Sequence, residues 1–169
     1  MSDPVGPEPG TLRRIFGSGP AGAAASVALL LAAAWLQARM QWPAMGLSHG
    51  LRLGVLALGT LAAVATIAWS VRSLPVETRG RQLCTRGPFA WVRHPLYAAF
   101  LVFFCPAFAV YLDQPAYLAW AVALHPLWHG IIRGEERLME ERFGGEWRRY
   151  AARTGRFVPR WLPRAGETA

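Results

Sequence analysis

The chain contains no lysine. All 18 basic residues are arginine, set against 10 acidic residues, for a net charge of +8. Charge of either sign is scarce: 17% of the 169 residues are charged, where soluble domains carry about 25%. Cysteine is nearly missing, with Cys84 and Cys105 the only two. So few cysteines exclude a disulfide scaffold, and their spacing is not that of metal ligands. Internal repeats and low-complexity domains are also missing. With 53% hydrophobic content, that excludes a disordered or collagen-like chain. Two classes remain: a basic nucleic-acid binder or a membrane protein.

The apolar residues decide between them. Four stretches carry no formally charged side chain: Pro20–Gln37, Leu53–Val71, Pro95–Leu112 and Gln114–Ile132, each 18 or 19 residues long. Roughly 20 apolar residues at about 1.5 Å rise cross a hydrocarbon core about 30 Å thick. Backbone groups in lipid must bond to one another, so these stretches are predicted to be helices. One such stretch would suit a buried helix of a soluble protein; four in so short a chain predict an integral membrane protein. Arg13-Arg14 before the first stretch has the look of a secretory or twin-arginine signal. The run is long for a signal, three more spans follow, and it is read as the first span. In that span Ala21, Ala25, Ala28 and Ala32 form a small-residue ridge suited to close helix contact.

Arginine placement sets orientation. Sixteen arginines fall in the N-terminal tail, the second loop and the C-terminal region, and two, Arg39 and Arg52, in the first loop. The positive-inside rule puts both termini and the second loop in the cytoplasm. The expected architecture is all-α and integral to the membrane, with about four transmembrane helices, N-in and C-in. A flexible tail covers 1–16, two structural helices 17–72, a core 73–162 and a second tail 163–169. A bacterial inner membrane with the functional face towards the cytoplasm is the expected location.

Polar side chains concentrate in two places. The second loop reads Leu83-Cys84-Thr85-Arg86-Gly87-Pro88-Phe89-Ala90-Trp91-Val92-Arg93-His94-Pro95-Leu96-Tyr97. Gly87-Pro88 is a turn, and Pro95 suits the first turn of a helix. Tyr97 then lies about one turn from Arg93 and His94 at the membrane boundary. Exposed N–H groups at such a helix start can hold an anion. A snorkelling Arg, a capping His and an interfacial Tyr account for the same residues without any ligand.

The second cluster follows the last span, from Glu135 to Tyr150. A helix from about Ile131 to Phe143 is predicted, ending at Gly144 or Gly145, with Leu138, Met139 and Phe143 towards one side. A short amphipathic helix follows, with Trp147, Tyr150 and Ala151 apolar and its arginines able to face lipid headgroups. Glu140 and Glu141 read as a solvated face. Glu135 and Glu136, beside an apolar helix at the membrane edge, need partners, a cationic ligand among them. His125 and His129 share one face of the last span; no third ligand is evident, so no metal is expected. Pro126 is expected to kink that helix or make it re-entrant.

Together the two clusters resemble the integral-membrane methyltransferase family of isoprenylcysteine carboxyl methyltransferases and phospholipid N-methyltransferases. Its pattern, roughly L-x-T-x-G-P-[YF]-x-x-[VF]-R-H-P-x-Y, is matched by Leu83, Thr85, Gly87, Pro88, Phe89, Val92, Arg93, His94, Pro95 and Tyr97. About 40 residues later a second block is matched by Glu135, Glu136, Met139, Phe143, Gly144, Trp147 and Tyr150, then by Arg156, Phe157 and Pro159. The resemblance implies S-adenosylmethionine as methyl donor in a cytoplasm-facing pocket. It implies cofactor contacts from Arg81, Gln82, Leu83 and Cys84, from Phe89, from His94, Pro95, Leu96 and Tyr97, and from Glu135. Arg93 suits the cofactor carboxylate, Glu135 a cationic group, and Phe89, Leu83 and Tyr97 the adenine and methionine chain. No nucleophile is needed, because the sulfonium is already a good leaving group. Glu136 and His129 are candidate bases, and with Arg93 they form the expected catalytic set.

One departure concerns the acceptor. Carboxyl methyltransferases of prenylcysteine place an Arg four residues before the first Glu, and Ile131 stands there. Arg133 is about 200° away around the helix. The expected acceptor is therefore a lipid, isoprenoid, small thiol or amine, with membrane lipids as neighbours and no nucleic acid. Two other readings share part of the pattern. An NADPH-dependent membrane sterol or enone reductase would carry Asn at Leu96 and Asp-Glu at Glu135-Glu136. A non-catalytic accessory protein would bind no cofactor.

Overall fold

The computed structural model describes residues 19–74 and 83–160. Six helices order these residues: α1 Gly19–Met40, α2 His49–Ser73, α3 Pro95–Leu112, α4 Pro115–Ile131, α5 Arg133–Phe143 and α6 Gly145–Arg153. A 3₁₀ turn, Gly87–Ala90, precedes α3. No strand is found among the described residues; an isolated bridge pairs Val92 with Gly155. The architecture is all-helical, as the uncharged stretches predict.

Three helices, α1, α2 and α3, are long and apolar enough to cross a membrane. The fourth uncharged stretch forms a helix of 17 residues, bounded by Pro115 at its start and a break at Ile132. At 1.5 Å per residue it is roughly 26 Å long, shorter than the other three. It runs through Pro126 as one helix.

The α3–α4 hairpin is the centre of the bundle. Asp113 turns it in the left-handed conformation (φ 59°). The same residue anchors the 41–48 loop, because its Oδ1 accepts from Leu47 N at 3.1 Å and its carbonyl from Met45 N at 3.0 Å. Arg52 approaches its Oδ2 at 3.6 Å. Helix α1 packs on α4 and α2 packs on α3, so the two N-terminal helices flank the hairpin from opposite sides. Leu101, Cys105, Leu124 and Ile132 are fully buried between α3 and α4.

The face that α1 turns inward differs from the expected one. Ala21, Ala28 and Ala32 are exposed, while Gly22, Ser26 and Gln37 are buried. Polar pairing sets this rotation. Trp128 Nε1 donates to Ser26 Oγ at 3.0 Å, and Trp120 Nε1 donates to the Ser26 carbonyl at 3.0 Å. An indole N–H in an apolar bundle needs an acceptor, and Ser26 is the one α1 offers. Gly22 admits the Trp128 ring: a Cβ there would lie 2.5 Å from Trp128 Cη2. Gly22→Val is expected to cost about 1–3 kcal/mol by overpacking. Ala23→Val, at an exposed position, is the control. Thermal melts followed by size-exclusion chromatography in detergent measure the difference.

Helix α3 contains a widened π segment, Ala99–Phe104, in which Cys105 N donates to the Phe100 carbonyl, five residues back. Pro106 explains it. A proline ring crowds the carbonyl four residues earlier and supplies no N–H. The wider turn relieves that conflict while keeping backbone groups bonded in the membrane.

Candidate active site

The site lies at the end of the hairpin opposite Asp113, where α3 begins and α4 gives way to α5. Gly87 (φ 58°) opens the turn that leads into it, and a Cβ there would overlap Ser73 Oγ. Pro95 is the first residue of α3 and His94 its cap, as the sequence predicts. The C-terminal segment then returns to pair in parallel with this stretch: Arg93 N donates to the Gly155 carbonyl at 2.8 Å, and His94 N to the Arg156 carbonyl at 3.1 Å. This latch places Arg156 and Phe157 over the hairpin.

Glu136 is the hub of the charged cluster. Arg93 Nε donates to its Oε1 at 2.9 Å; Arg156 donates to its Oε2 through Nε at 2.9 Å and Nη2 at 2.6 Å. Burial alone would raise the Glu136 carboxyl, but contacts with His94 and Arg156 and the charge of Arg93 hold it down at about 2. It is therefore ionised at any physiological pH. Arg93 Nη1 also donates to the Ala151 carbonyl at 2.9 Å and to the Thr154 carbonyl. The three elements α3, α5 and the C-terminal segment thus meet in one ion-paired knot.

Beside it lies a second, less enclosed group. Tyr97 OH donates to Glu135 Oε1 at 3.0 Å, and His94 Nδ1 stands 3.8 Å from Glu135 Oε2. The His94 and Tyr97 rings stack at 5.7 Å, and Tyr97 packs on Trp128 at 4.7 Å. His94 Nε2 is 3.4 Å from Glu136 Oε1 but outside hydrogen-bonding geometry, so this buried nitrogen has no hydrogen-bond partner among the described residues.

His129 touches the knot from α4. Arg156 Nη1 lies 3.1 Å from its Nδ1. A guanidinium has donors only, so Nδ1 must be the unprotonated nitrogen and Nε2 carries the hydrogen. The imidazole also meets the Phe157 ring edge-on at 4.9 Å. His125 approaches Phe157 from one turn earlier, at 6.5 Å, and no metal-ligating group of three or more His, Cys, Asp or Glu occurs among the described residues.

The remaining residues of the expected site are spread along the entrance. Leu83 and Thr85 line a cleft of about 360 Å³ together with Arg149, Tyr150 and Arg153. Tyr150 OH donates to the Phe89 carbonyl at 2.7 Å, and burial pushes its phenol up to about 12, so it stays a donor. Cys84 Sγ contacts the Ser73 carbonyl at 3.4 Å. Leu96 is exposed on the outer side of the first turn of α3. Arg81 and Gln82 lie outside the described residues. Helix α5 keeps Met139 and Phe143 half-buried but leaves Leu138 60% exposed, against the expected common side. Trp147 and Tyr150 of α6 are buried as expected.

The geometry gives roles to Arg156 and Phe157, which the closing Arg-Phe-x-Pro block marked without naming their partners, and adds Thr154, for which the sequence held no signal.

The profile of the isoprenylcysteine carboxyl methyltransferase (ICMT) family matches residues 53–141, just over half of the 169 residues. Neither the curated proteins nor the solved structures give a match. The matched stretch runs from α2 through the hairpin to α5 and holds Arg93, His94, Tyr97, Glu135 and Glu136. The chain belongs to the isoprenylcysteine carboxyl methyltransferase family of membrane methyltransferases.

Proposed function

We propose that the protein is an S-adenosylmethionine-dependent methyltransferase acting on a lipophilic or small acceptor, with its site on the cytoplasmic side of a four-span bundle. On this reading α4 is the fourth span, and both termini are cytoplasmic, in keeping with the arginine bias. The observation that carries the reading is the convergence of His94, Tyr97 and Glu135 where α3 begins and α4 gives way to α5, from segments 38 residues apart.

These residues fit the methyl donor chemically. Glu135 supplies a carboxylate for an ammonium group. The buried His94 Nε2 makes no hydrogen bond among the described residues, with Glu136 Oε1 3.4 Å away. Tyr97, Phe89 and Leu83 offer apolar surface for the rest, and Arg81, Gln82, Cys84, Pro95 and Leu96 complete the cofactor set that the family pattern implies. When bound, the donor supplies an activated methyl group for in-line displacement. The protein then contributes orientation and exclusion of water.

Glu136, Arg93 and His129 act in this scheme as positioning residues. Both Glu136 oxygens are already accepting from arginines, which leaves it a poor base. Arg93 spends its Nε and Nη1 donors inside the knot. His129 presents an N–H at Nε2, suited to orienting an oxygen acceptor rather than to taking its proton.

Calorimetric titration in detergent with S-adenosylmethionine, its demethylated product and NADPH tests the proposal. Binding of the first two and not the third is expected; binding of NADPH alone overturns it, and binding of none supports an accessory protein. Glu135→Ala is expected to weaken donor binding by about tenfold or more, since a charge-assisted hydrogen bond is worth roughly 1.5–3 kcal/mol. Unchanged binding would remove Glu135 from the site.

A further inference from the structure

The opposite end of the bundle carries a second cleft, of about 510 Å³, between the end of α1, the loop that follows and the start of α4. Its polar lining is unusual for a membrane boundary: Gln37, Gln41 and Gln114, with the rings of Trp42 and Tyr117 and no charged side chain. Gln37 is 6% exposed. Its Nε2 donates to the Trp42 carbonyl at 2.7 Å, which fixes the amide's orientation. Its Oε1 is then a buried acceptor with no hydrogen-bond partner among the described residues. A buried carbonyl left unmet costs roughly 1–3 kcal/mol, so a retained one asks for a donor. Gln114 caps α4 without using its side chain on the helix, leaving that amide available as well.

We propose that this cleft binds the hydroxyl-bearing headgroup of a membrane lipid, a glycosyl-diacylglycerol being the simplest example. Amides both give and accept hydrogen bonds, which matches a polyol. Flat aromatic faces accept the apolar side of a sugar ring. The absence of charge in the lining disfavours recognition of a phosphate or an ammonium alone. A choline headgroup has no hydrogen to donate to Gln37. The lipid source follows from position: Trp35, Leu36 and Trp42 are exposed at the same end, where aromatic residues sit at the interface and acyl chains can lie along α1. The volume falls within the range of about 300–1,000 Å³ typical of ligand sites. This site is independent of the methyl-transfer reading and needs only the membrane bundle.

Native mass spectrometry of the full-length protein released from phosphatidylcholine nanodiscs containing glucosyl-diacylglycerol of matched acyl chains tests it. The glycolipid should be retained about tenfold over phosphatidylcholine, a difference of roughly 1.4 kcal/mol. Gln37→Leu and Gln114→Ala should each bring the two lipids to near equality while leaving S-adenosylmethionine binding unchanged. Equal retention by the unaltered protein overturns the proposal, as does a preference that survives both substitutions. If Gln37→Leu fails to fold, Gln114→Ala gives the same readout. Free methyl glucoside at equal concentration should not displace the glycolipid; displacement would mean a soluble-sugar site and would overturn the lipid assignment.

Discussion

Glu136→Ala is expected to destabilise the protein by about 3–5 kcal/mol and to abolish binding of the methyl donor. The carboxylate neutralises two guanidiniums, those of Arg93 and Arg156, whose side chains are 10% and 26% exposed. Removing it leaves both charges facing each other with no counter-charge. The Arg93 contacts to Ala151 and Thr154 then loosen, and with them the placement of His94. Glu136→Gln keeps the shape and one acceptor but loses the charge, so an intermediate loss is expected. The pair Glu136→Met with Arg156→Met should lose less than the two changes summed, because one of the two uncompensated charges is gone and only that of Arg93 remains. Melting temperature in detergent and calorimetric binding separate the effects on stability and on the site.

The same carboxylate sets a pH limit. Its folded value, about 2, lies below the ordinary 4.5. A group depressed on folding contributes stability that is complete above the ordinary value and is lost as pH falls towards the folded one. The protein should therefore lose stability between about pH 4.5 and 2, and Glu136→Gln should flatten that part of the profile. Parallel profiles for the two proteins would show that Glu136 is not the group responsible.

Gly155→Ala is expected to open the C-terminal latch. A Cβ at this position would overlap the Val158 carbonyl oxygen and approach its carbon to 3.0 Å. Both are backbone atoms, so no side-chain rotation relieves the clash. The Gly155 carbonyl must also stay where it accepts from Arg93 N. Overpacking of this kind costs roughly 1–3 kcal/mol, enough to undo a two-bond bridge. Limited proteolysis should cut the variant soon after α6 while circular dichroism shows the hairpin and α1–α2 still helical. Donor affinity should fall about tenfold or more, because Arg156 leaves the knot. Protease resistance and affinity equal to the unaltered chain would show that the latch tolerates a side chain.

How much of this was legible beforehand varies with the distance over which each signal acts. Hydropathy is local, and it located α1, α2, α3 and the stretch of α4 from runs of uncharged residues. It missed the length of α4 by a residue at each end, because the terminal break at Ile132 is a junction with α5 rather than a change in polarity. Helix rotation was harder. Helix α1 is rich in alanine on every side, so small size alone does not choose a face. The choice falls chiefly to Gly22 and Ser26, and their partners Trp120 and Trp128 lie about 100 residues away. The candidate site divides the same way. His94 at the cap, Pro95 at the first position and Gly144 at the turn (φ 52°) follow from short-range backbone rules. The Arg93–Glu136 and Glu136–Arg156 pairs join positions 43 and 20 apart, and only the fold brings them together.

The placement of α1 and α2 on opposite flanks of the hairpin bears on biosynthesis. These two helices leave the ribosome first, yet each has its packing partner in a segment made later: α3 for α2, α4 for α1. After insertion they must wait as separate spans, with Gly22 and Gly59 facing lipid. The α3–α4 hairpin then enters between them as a wedge. Close approach at Gly22 to Trp128 and at Gly59 to Ala107 decides when it seats. The ion-paired knot can form only after that step, since Arg156 is synthesised after the hairpin. Completion of the knot is therefore the last stage of assembly, and a chain stalled before its final segment would hold the helices of the bundle without the partner that Arg156 gives Glu136.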